Sequence, residues 1–349
     1  MTTGDRKDEH LSICLDDAVE YRSDDGNGFG SYRFDHDALP EIARRDISLE
    51  TTFLGRTLSA PLLVGAMTGG TERAAEVNRR LAVAAERCGI GLALGSQRRM
   101  LEDDRARASY AVREHAPALP LLIGNLGAVQ LNYGVGLEGI EKLIAGAGCD
   151  AMNLHLNPLQ EAVQPEGDTD FTGLLAKMAA IIPRVSVPVL VKEVGSGISE
   201  TTAAKLATLP IAGVETAGAG GTSWSKIESR RAPEGGVQQT TGELFARWGV
   251  PTAESVVACR RTLPKRMVVV ASGGMRNGIE AAKALALGAD VVAFALPMLK
   301  AVEVSIDAGV DAIERVKEEL RTAMFLVGAL GVADLRQRPL RRLRDFTGA

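Results

Sequence analysis

Eight short apolar segments alternate with amphipathic, alanine-rich stretches along this chain, at a spacing of roughly thirty residues. We predict strands at Leu62–Ala66, Gly91–Leu94, Leu121–Gly124, Ala151–Leu154, Val189–Val191, Gly213–Glu215, Val268–Ala271 and Val291–Phe294. Helices are predicted between them, the clearest at Glu72–Cys88, Leu137–Ala147, Ser199–Leu209 and Asn277–Leu287. Strands that alternate with helices are parallel and joined by right-handed crossovers. Eight such units favour an α/β fold of the (β/α)8 TIM-barrel type.

The alternative architecture is an open, doubly wound sheet. It would normally carry a GxGxxG turn after its first strand, whereas this chain has MTGGT there. The length of 349 residues would suit two domains, but barrels of this size fold as one. We therefore expect residues 1–60 to form an N-terminal extension that contributes to the ligand site. Residues 61–349 would form the barrel, with a C-terminal helix at Asp307–Val327 and a basic tail.

The charge and cysteine content narrow the function classes. A formal net charge of −4 argues against a nucleic-acid partner, although it allows a local basic pocket for an anionic ligand. The four cysteines form no CxxC pair, so neither zinc nor a disulfide framework is indicated. The N-terminus is polar, and no apolar run approaches the ~20 residues of a membrane helix. These features predict a cytoplasmic protein without a membrane segment.

Polar and glycine residues follow every predicted strand, at the end where barrels carry their ligand sites. The run SGGMRNG after strand seven predicts a phosphate site. Gly273 and Gly274 let the backbone approach the phosphate, the next helix presents free N–H groups, and Arg276 adds a charged donor. The alternative is an ordinary turn. Long insertions at Asn157–Phe171 and Ala217–Thr241 follow strands four and six, where further ligand contacts are expected.

Lys192 interrupts an apolar strand and shares a face with Leu190. If that face lines the barrel, the ammonium lies near the pocket floor and stabilises negative charge on a ligand. The alternative is an ion pair with a neighbouring barrel carboxylate. Both interpretations stay open at this point.

The most informative run is HLNPLQEAVQPEGDTDF, after strand four. His155 and Asn157 share a face if the strand extends that far, and Pro158 would turn the chain to bring Gln160 and Glu161 over the pocket. A single carboxylate with waters and phosphate oxygens is a common magnesium site, which indicates Glu161. A satisfied core histidine is the alternative for His155.

The N-terminal RKDEH run adds further cations. Arg6, Lys7 and His10 would supply positive charge if this segment folds over the barrel mouth, and Arg98 would add more from strand two. The alternative for the run is a solvated, charged start to a helix.

These motifs, from RKDEHL through MTGGT, LGSQR, NLGA, HLNPLQEAVQPEGDTDF, VKEVGSGIS, AGAGGTSW and SGGMRNG to ALPML, resemble those of type 2 isopentenyl-diphosphate isomerases over nearly the whole chain. The HLNPLQEAVQPEGD run is highly specific, whereas FMN barrels in general share the glycine motifs. The resemblance implies interconversion of isopentenyl and dimethylallyl diphosphate, with FMN and Mg²⁺ as cofactors and NADPH or another reductant. It also implies a homotetramer or homo-octamer. The segment VETAGAGG departs from the usual aspartate-containing version of its motif.

The resemblance also implies roles for individual residues. The residues that would hold FMN are Ala66, Met67, Thr68, Ser96, Asn125, Lys192, Thr222, Gly274, Arg276, Ala295 and Leu296. The residues that would contact substrate are Arg6, Lys7, Ser96, Arg98, His155, Asn157, Gln160 and Trp224, with Glu161 on the metal. Trp224 and Glu228 would close the site. Gln160, His155 and Glu228 are the candidate catalytic residues.

An isolated alkene is a poor base, so its isomerisation needs a strong acid and then a base. Because an amide does neither near neutral pH, we hypothesise that reduced FMN exchanges the proton, with Gln160 and His155 positioning or relaying and Glu228 as a weaker candidate relay. One rival, an FMN-dependent 2-hydroxyacid oxidase, would carry a histidine late in the chain, but none follows His155. An IMP-dehydrogenase-like enzyme would need a cysteine after strand six, and none lies between Cys149 and Cys259. A flavin- or phosphate-binding regulatory protein is the non-enzymatic alternative.

Overall fold

The computed structural model describes residues 3–15, 19–20 and 26–343, with the side chains of the first helix described from Glu9 onward. Eight parallel strands form a closed barrel, in which the eighth strand pairs with the first through Val292 and Leu62. The strands are Leu62–Val64, Gly91–Ala93, Leu122–Gly127, Ala151–Leu156, Val189–Glu193, Gly213–Glu215, Val268–Ala271 and Val291–Phe294. Each of the eight overlaps a predicted strand. The TIM-barrel prediction is confirmed, and the open-sheet alternative is excluded.

The helices lie between and around the strands. Their bounds are Thr3–Cys14, Glu72–Arg87, Arg99–Glu102, Leu137–Ala147, Pro158–Val163, Leu174–Ile181, Glu200–Leu206, Trp224–Arg231, Val237–Leu244, Thr252–Thr262, Gly278–Ala286, Leu296–Val304, Ile306–Phe325 and Val332–Leu335. Side-chain caps fix several helix starts, since Thr71 accepts from Ala74 N and Asn277 accepts from Glu280 N. Within the described part of the chain, no helix is long and apolar enough to cross a membrane.

Alternation along the strands builds two apolar layers. Leu63, Ile123, Leu190 and Val270 fill the inside of the barrel and form one cluster. Their strand neighbours point outward and pack against the helices in a second, larger cluster. Because the side-chain period is two, Lys192 follows Leu190 on the inner face, as predicted.

A hairpin of Thr51–Phe53 and Arg56–Leu58 closes the N-terminal end of the barrel. Phe53 and Leu58 are almost fully buried and join the inner apolar cluster. The two-residue turn has φ of +49° at Leu54 and +76° at Gly55, which is typical of a tight hairpin turn. This plug leaves the C-terminal ends of the strands as the open end of the barrel. A second short pair joins Tyr32–Phe34 to Leu340–Arg342.

Candidate active site

A large cavity opens at the C-terminal ends of the barrel strands. It contains about 1560 Å³ of space free of atoms, counted out to its open mouth. Many of the predicted site residues line it together: Ala66, Met67, Thr68, Ser96, Arg98, Asn125, His155, Gln160, Lys192, Thr222, Trp224, Gly274, Arg276, Ala295 and Leu296. Residues scattered over more than two hundred positions of the chain therefore meet at one rim.

Lys192 lies on the wall of this cavity, although it is only 6% exposed. Its Nζ donates to Glu215 Oε1 at 3.0 Å and to the Glu193 carbonyl at 2.9 Å. Both interpretations of Lys192 therefore hold together, because an ion-paired lysine faces the ligand space. Glu215 also lines the cavity.

The turn after strand seven has the shape of an anion cradle. Gly273 and Gly274 adopt φ of +104° and +68°. A Cβ on Gly274 would lie 2.2 Å from Gly220 O, so only glycine fits there. In the helix that follows this turn, the Gly278 and Glu280 amides donate to Glu319 Oε2 and Asn277 Oδ1, so two of the N–H groups predicted to be free there are engaged. The nine-residue helix that follows strand eight begins at Leu296, on the cavity wall, and its positive dipole end favours an anion there.

Arg276 is already engaged in this structure. Its guanidinium donates to the carboxylate of Glu20, which also accepts from Lys300 Nζ at 3.3 Å. Three charged groups therefore meet beside the glycine turn. The close backbone approach at the glycine turn and the Arg276 guanidinium fit the phosphate of FMN.

His155 is oriented by Asn125. His155 Nδ1 lies 2.9 Å from Asn125 Oδ1, and because an amide oxygen only accepts, Nδ1 carries the proton. In the neutral ring, the basic nitrogen is then Nε2. The histidine is thus a positioned member of the site and not a core residue.

Glu228 is the centre of a buried polar cluster behind Gln160. It is 0% exposed and accepts from Gln160 Nε2 at 3.2 Å, with His10 Nε2 at 3.0 Å and the Arg231 guanidinium on its other side. Burial acts to raise the pKa of Glu228, but the hydrogen bond and charge of His10 and the charge of Arg231 outweigh it and lower the pKa. Glu228 itself does not line the cavity, so it supports the site from behind Gln160.

The N-terminal helix lies at the mouth of its own barrel. His10, Leu11 and Cys14 line the cavity, and the His10 ring meets the edge of the Trp224 ring with centroids 5.2 Å apart. Burial raises the pKa of the Cys14 thiol to about 12, so it stays protonated. Arg6 and Lys7 belong to the same helix, but their side chains lie outside the described part of the structure.

Asn157 and Glu161 are not among the residues that line the cavity. The strand ends at Leu156, and Pro158 starts a helix at once. Glu161 Oε1 accepts from Asn157 Nδ2 at 2.8 Å and Oε2 from Asp168 N at 2.7 Å. The turn at Pro158 therefore brings Gln160, but not Glu161, to the cavity wall.

The structure adds residues that the sequence reasoning did not single out. Glu215 and Ser272 lie beside Lys192, and Leu11 and Cys14 face the cavity from the first helix. Glu215 could have been predicted from the sequence. It is the last residue of a predicted strand, and a charged group at the C-terminal end of a barrel strand indicates a ligand site. In the structure it pairs in register with Lys192.

Comparison with known proteins agrees with this geometry. The family model for FMN-dependent dehydrogenases matches residues 166–342, which include Lys192 and the glycine turn. A protein from Nostoc sp. named isopentenyl-diphosphate delta-isomerase is 45% identical over 334 residues, covering 96% of this chain and 94% of that protein. One of the same name from Paracoccus zeaxanthinifaciens is 47% identical over 335 residues, covering 95% of each. The chain belongs to the isopentenyl-diphosphate delta-isomerase family.

Among solved structures, a crystal structure of mandelate oxidase covers 97% of this chain and 98% of its own, with a TM-score of 0.66 and 18% identity. At that identity the likeness establishes the shared barrel alone. The isopentenyl-diphosphate delta-isomerase family and its FMN-dependent type are instead established by the full-length relatives and the FMN-dependent family model.

Proposed function

We propose that this chain interconverts isopentenyl and dimethylallyl diphosphate with reduced FMN. The observation that carries the proposal is a single cavity lined by the glycine turn, Lys192 and Gln160, in a chain of this family. Buried Glu228 holds Gln160 in place there. FMN would be held by the predicted set: Ala66, Met67, Thr68, Ser96, Asn125, Lys192, Thr222, Gly274, Arg276, Ala295 and Leu296. When bound, reduced FMN supplies the acid and base for proton exchange.

The chain's own polar groups orient the reacting part of the substrate. Gln160 is held at both ends of its amide, because Nε2 donates to Glu228 and Oε1 accepts from Asn157 Nδ2 at 3.3 Å. An amide does not titrate near neutral pH. The adjacent Glu228, whose pKa is lowered, accepts from Gln160 as a carboxylate. Gln160 therefore positions and relays, while His155, fixed by Asn125, offers a second polar contact.

The proposal predicts that the reduced protein converts isopentenyl diphosphate to its allylic isomer and incorporates solvent deuterium. Gln160→Ala is expected to lower deuterium uptake by about 100-fold, the size of effect expected when a group that positions the reacting atoms is lost. The readout is NMR of the product in D₂O, with exposed Gln337→Ala as the matched control. Undiminished turnover in Gln160→Ala would remove Gln160 from the mechanism, and no isomer from the unaltered protein would remove the function.

The diphosphate and its metal would bind near the first helix. Arg6, Lys7 and Arg98 would pair with phosphate oxygens, and Glu161 would hold Mg²⁺ together with waters and the diphosphate. Among the described residues, no cluster of three or more His, Cys, Asp or Glu side chains could hold a metal. A single carboxylate that shares the ion with substrate phosphates is in keeping with that arrangement.

Glu161→Gln is expected to raise the Mg²⁺ concentration for half-maximal activity by about 10-fold, because the amide keeps the hydrogen-bond acceptor but loses the charge. A magnesium titration of the initial rate measures this. Exposed Glu200→Gln, at the start of another helix, serves as the control. Equal titrations for both variants would place the metal elsewhere.

Three further properties belong to the same proposal. NADPH would serve as the reductant, and the location would be the cytoplasm. The third property is the assembly.

A homotetramer or homo-octamer is supported by the helix Val237–Leu244 and the turn after it. There Val237, Leu244 and Trp248 are 78%, 80% and 62% exposed, and a second copy of the chain would cover them.

A further inference from the structure

The carboxylate of Glu215 lies beside Lys192 on the cavity wall. Lys192 and Glu215 are register neighbours on adjacent barrel strands and are only 6% and 4% exposed. Their Nζ–Oε1 distance is 3.0 Å. Both residues line the cavity, so the charge that a ligand meets here is that of the pair and not of the lysine alone.

The surroundings of Glu215 hold its carboxylate in place. Ser272 Oγ donates to Glu215 Oε1 at 2.9 Å, and Asn153 Nδ2 donates to Oε2 at 3.3 Å. The Ser272 oxygen in turn accepts from Ala217 N at 3.0 Å, which directs its proton towards Glu215. With three donors, both oxygens of this buried carboxylate have hydrogen-bond partners.

We propose that Glu215 is a positioning residue that fixes the Lys192 ammonium and offsets its charge, and so sets how strongly the site favours reduced over oxidised FMN. The inference rests on the FMN binding in the proposed function. Reduction adds negative charge to the flavin ring, which a nearby cation stabilises. A carboxylate 3.0 Å from that cation cancels part of the effect. The pair therefore holds the flavin at a lower potential than a lone lysine would.

The test is Glu215→Gln in the FMN-loaded protein. The amide oxygen still accepts from Lys192, but the negative charge is gone. Reduced FMN is expected to bind about tenfold more tightly relative to oxidised FMN, which equals a rise of about 30 mV in the two-electron midpoint potential. Equilibrium titration against a redox dye measures the potential. The absorbance of the reduced protein against pH gives a second readout, because the anionic reduced flavin should persist to lower pH.

Two variants separate charge from structural damage. Glu193→Gln alters the adjacent buried carboxylate, which accepts instead from the loop amides of Val194, Gly195 and Ser196. It is expected to change the melting temperature but leave the flavin potential unchanged. Glu215→Asp keeps the charge. Its ratio of affinities for reduced and oxidised FMN should stay within about threefold of the native ratio.

A native potential in Glu215→Gln, or an equal shift in Glu193→Gln, would overturn the inference. The proposed function fails separately. A Glu215→Gln shift in a protein that binds FMN but forms no allylic isomer contradicts only the reaction. If the protein is active but Glu215→Gln leaves the flavin potential unchanged, only the role of Glu215 is contradicted.

Discussion

Glu228→Gln is expected to lower kcat by about two to three orders of magnitude and to change KM much less. Glu228 is fully buried and contacts Gln160 and His10, but it does not line the cavity. The substitution keeps the side-chain volume and removes the carboxylate that accepts from Gln160, so a proton relay behind Gln160 is lost. Steady-state kinetics of the reduced, FMN-loaded protein measure the effect.

Glu243→Gln, in the neighbouring helix Val237–Leu244, is the matched control because its side chain is exposed. It should behave as the unaltered protein. A kcat for Glu228→Gln within threefold of the native value would show that the cluster only supports the fold.

The pH dependence of this cluster follows from the lowered pKa of Glu228. A carboxyl group whose pKa falls on folding adds stability above its unfolded pKa, and that stability is lost as the pH drops through the folded pKa. Glu228 therefore stays a carboxylate at neutral pH, and its contacts with His10 and Arg231 persist there. We therefore expect the contacts of the N-terminal helix with the barrel mouth to weaken in acid, when Glu228 becomes protonated.

Lys192→Met is expected to abolish tight FMN binding and to lower the free energy of unfolding by about 3–5 kcal/mol. The first effect follows from loss of the cation on the cavity wall. The second follows because Glu215 is left buried without its charged partner, and breaking a buried pair from one side is strongly destabilising. Denaturant unfolding and flavin titration measure the two effects separately.

The double variant Lys192→Met with Glu215→Gln tests the cause. It removes the orphaned charge, so most of the lost stability should return while FMN affinity stays low. A single Lys192→Met variant within 1 kcal/mol of the native stability would contradict the energetic argument, since the ion pair would then contribute little.

The local pattern of the sequence determined the architecture. Alternating apolar residues, helix caps and turn glycines act over a few positions, so all eight strands could be placed from them, three with the observed bounds. The glycine turn at Gly273 and Gly274 was recognisable for the same reason. The predicted rim also followed, because parallel barrel strands bring all their C-terminal ends to one side.

Only the tertiary structure decided which polar groups meet. Glu215 reaches Lys192 through the register of strands five and six, and Glu228 reaches His10 across most of the chain length. Glu161 lies off the cavity wall because the helix at Pro158 starts directly after the strand. Such contacts depend on barrel closure and strand register, which are long-range properties that no short window of sequence contains.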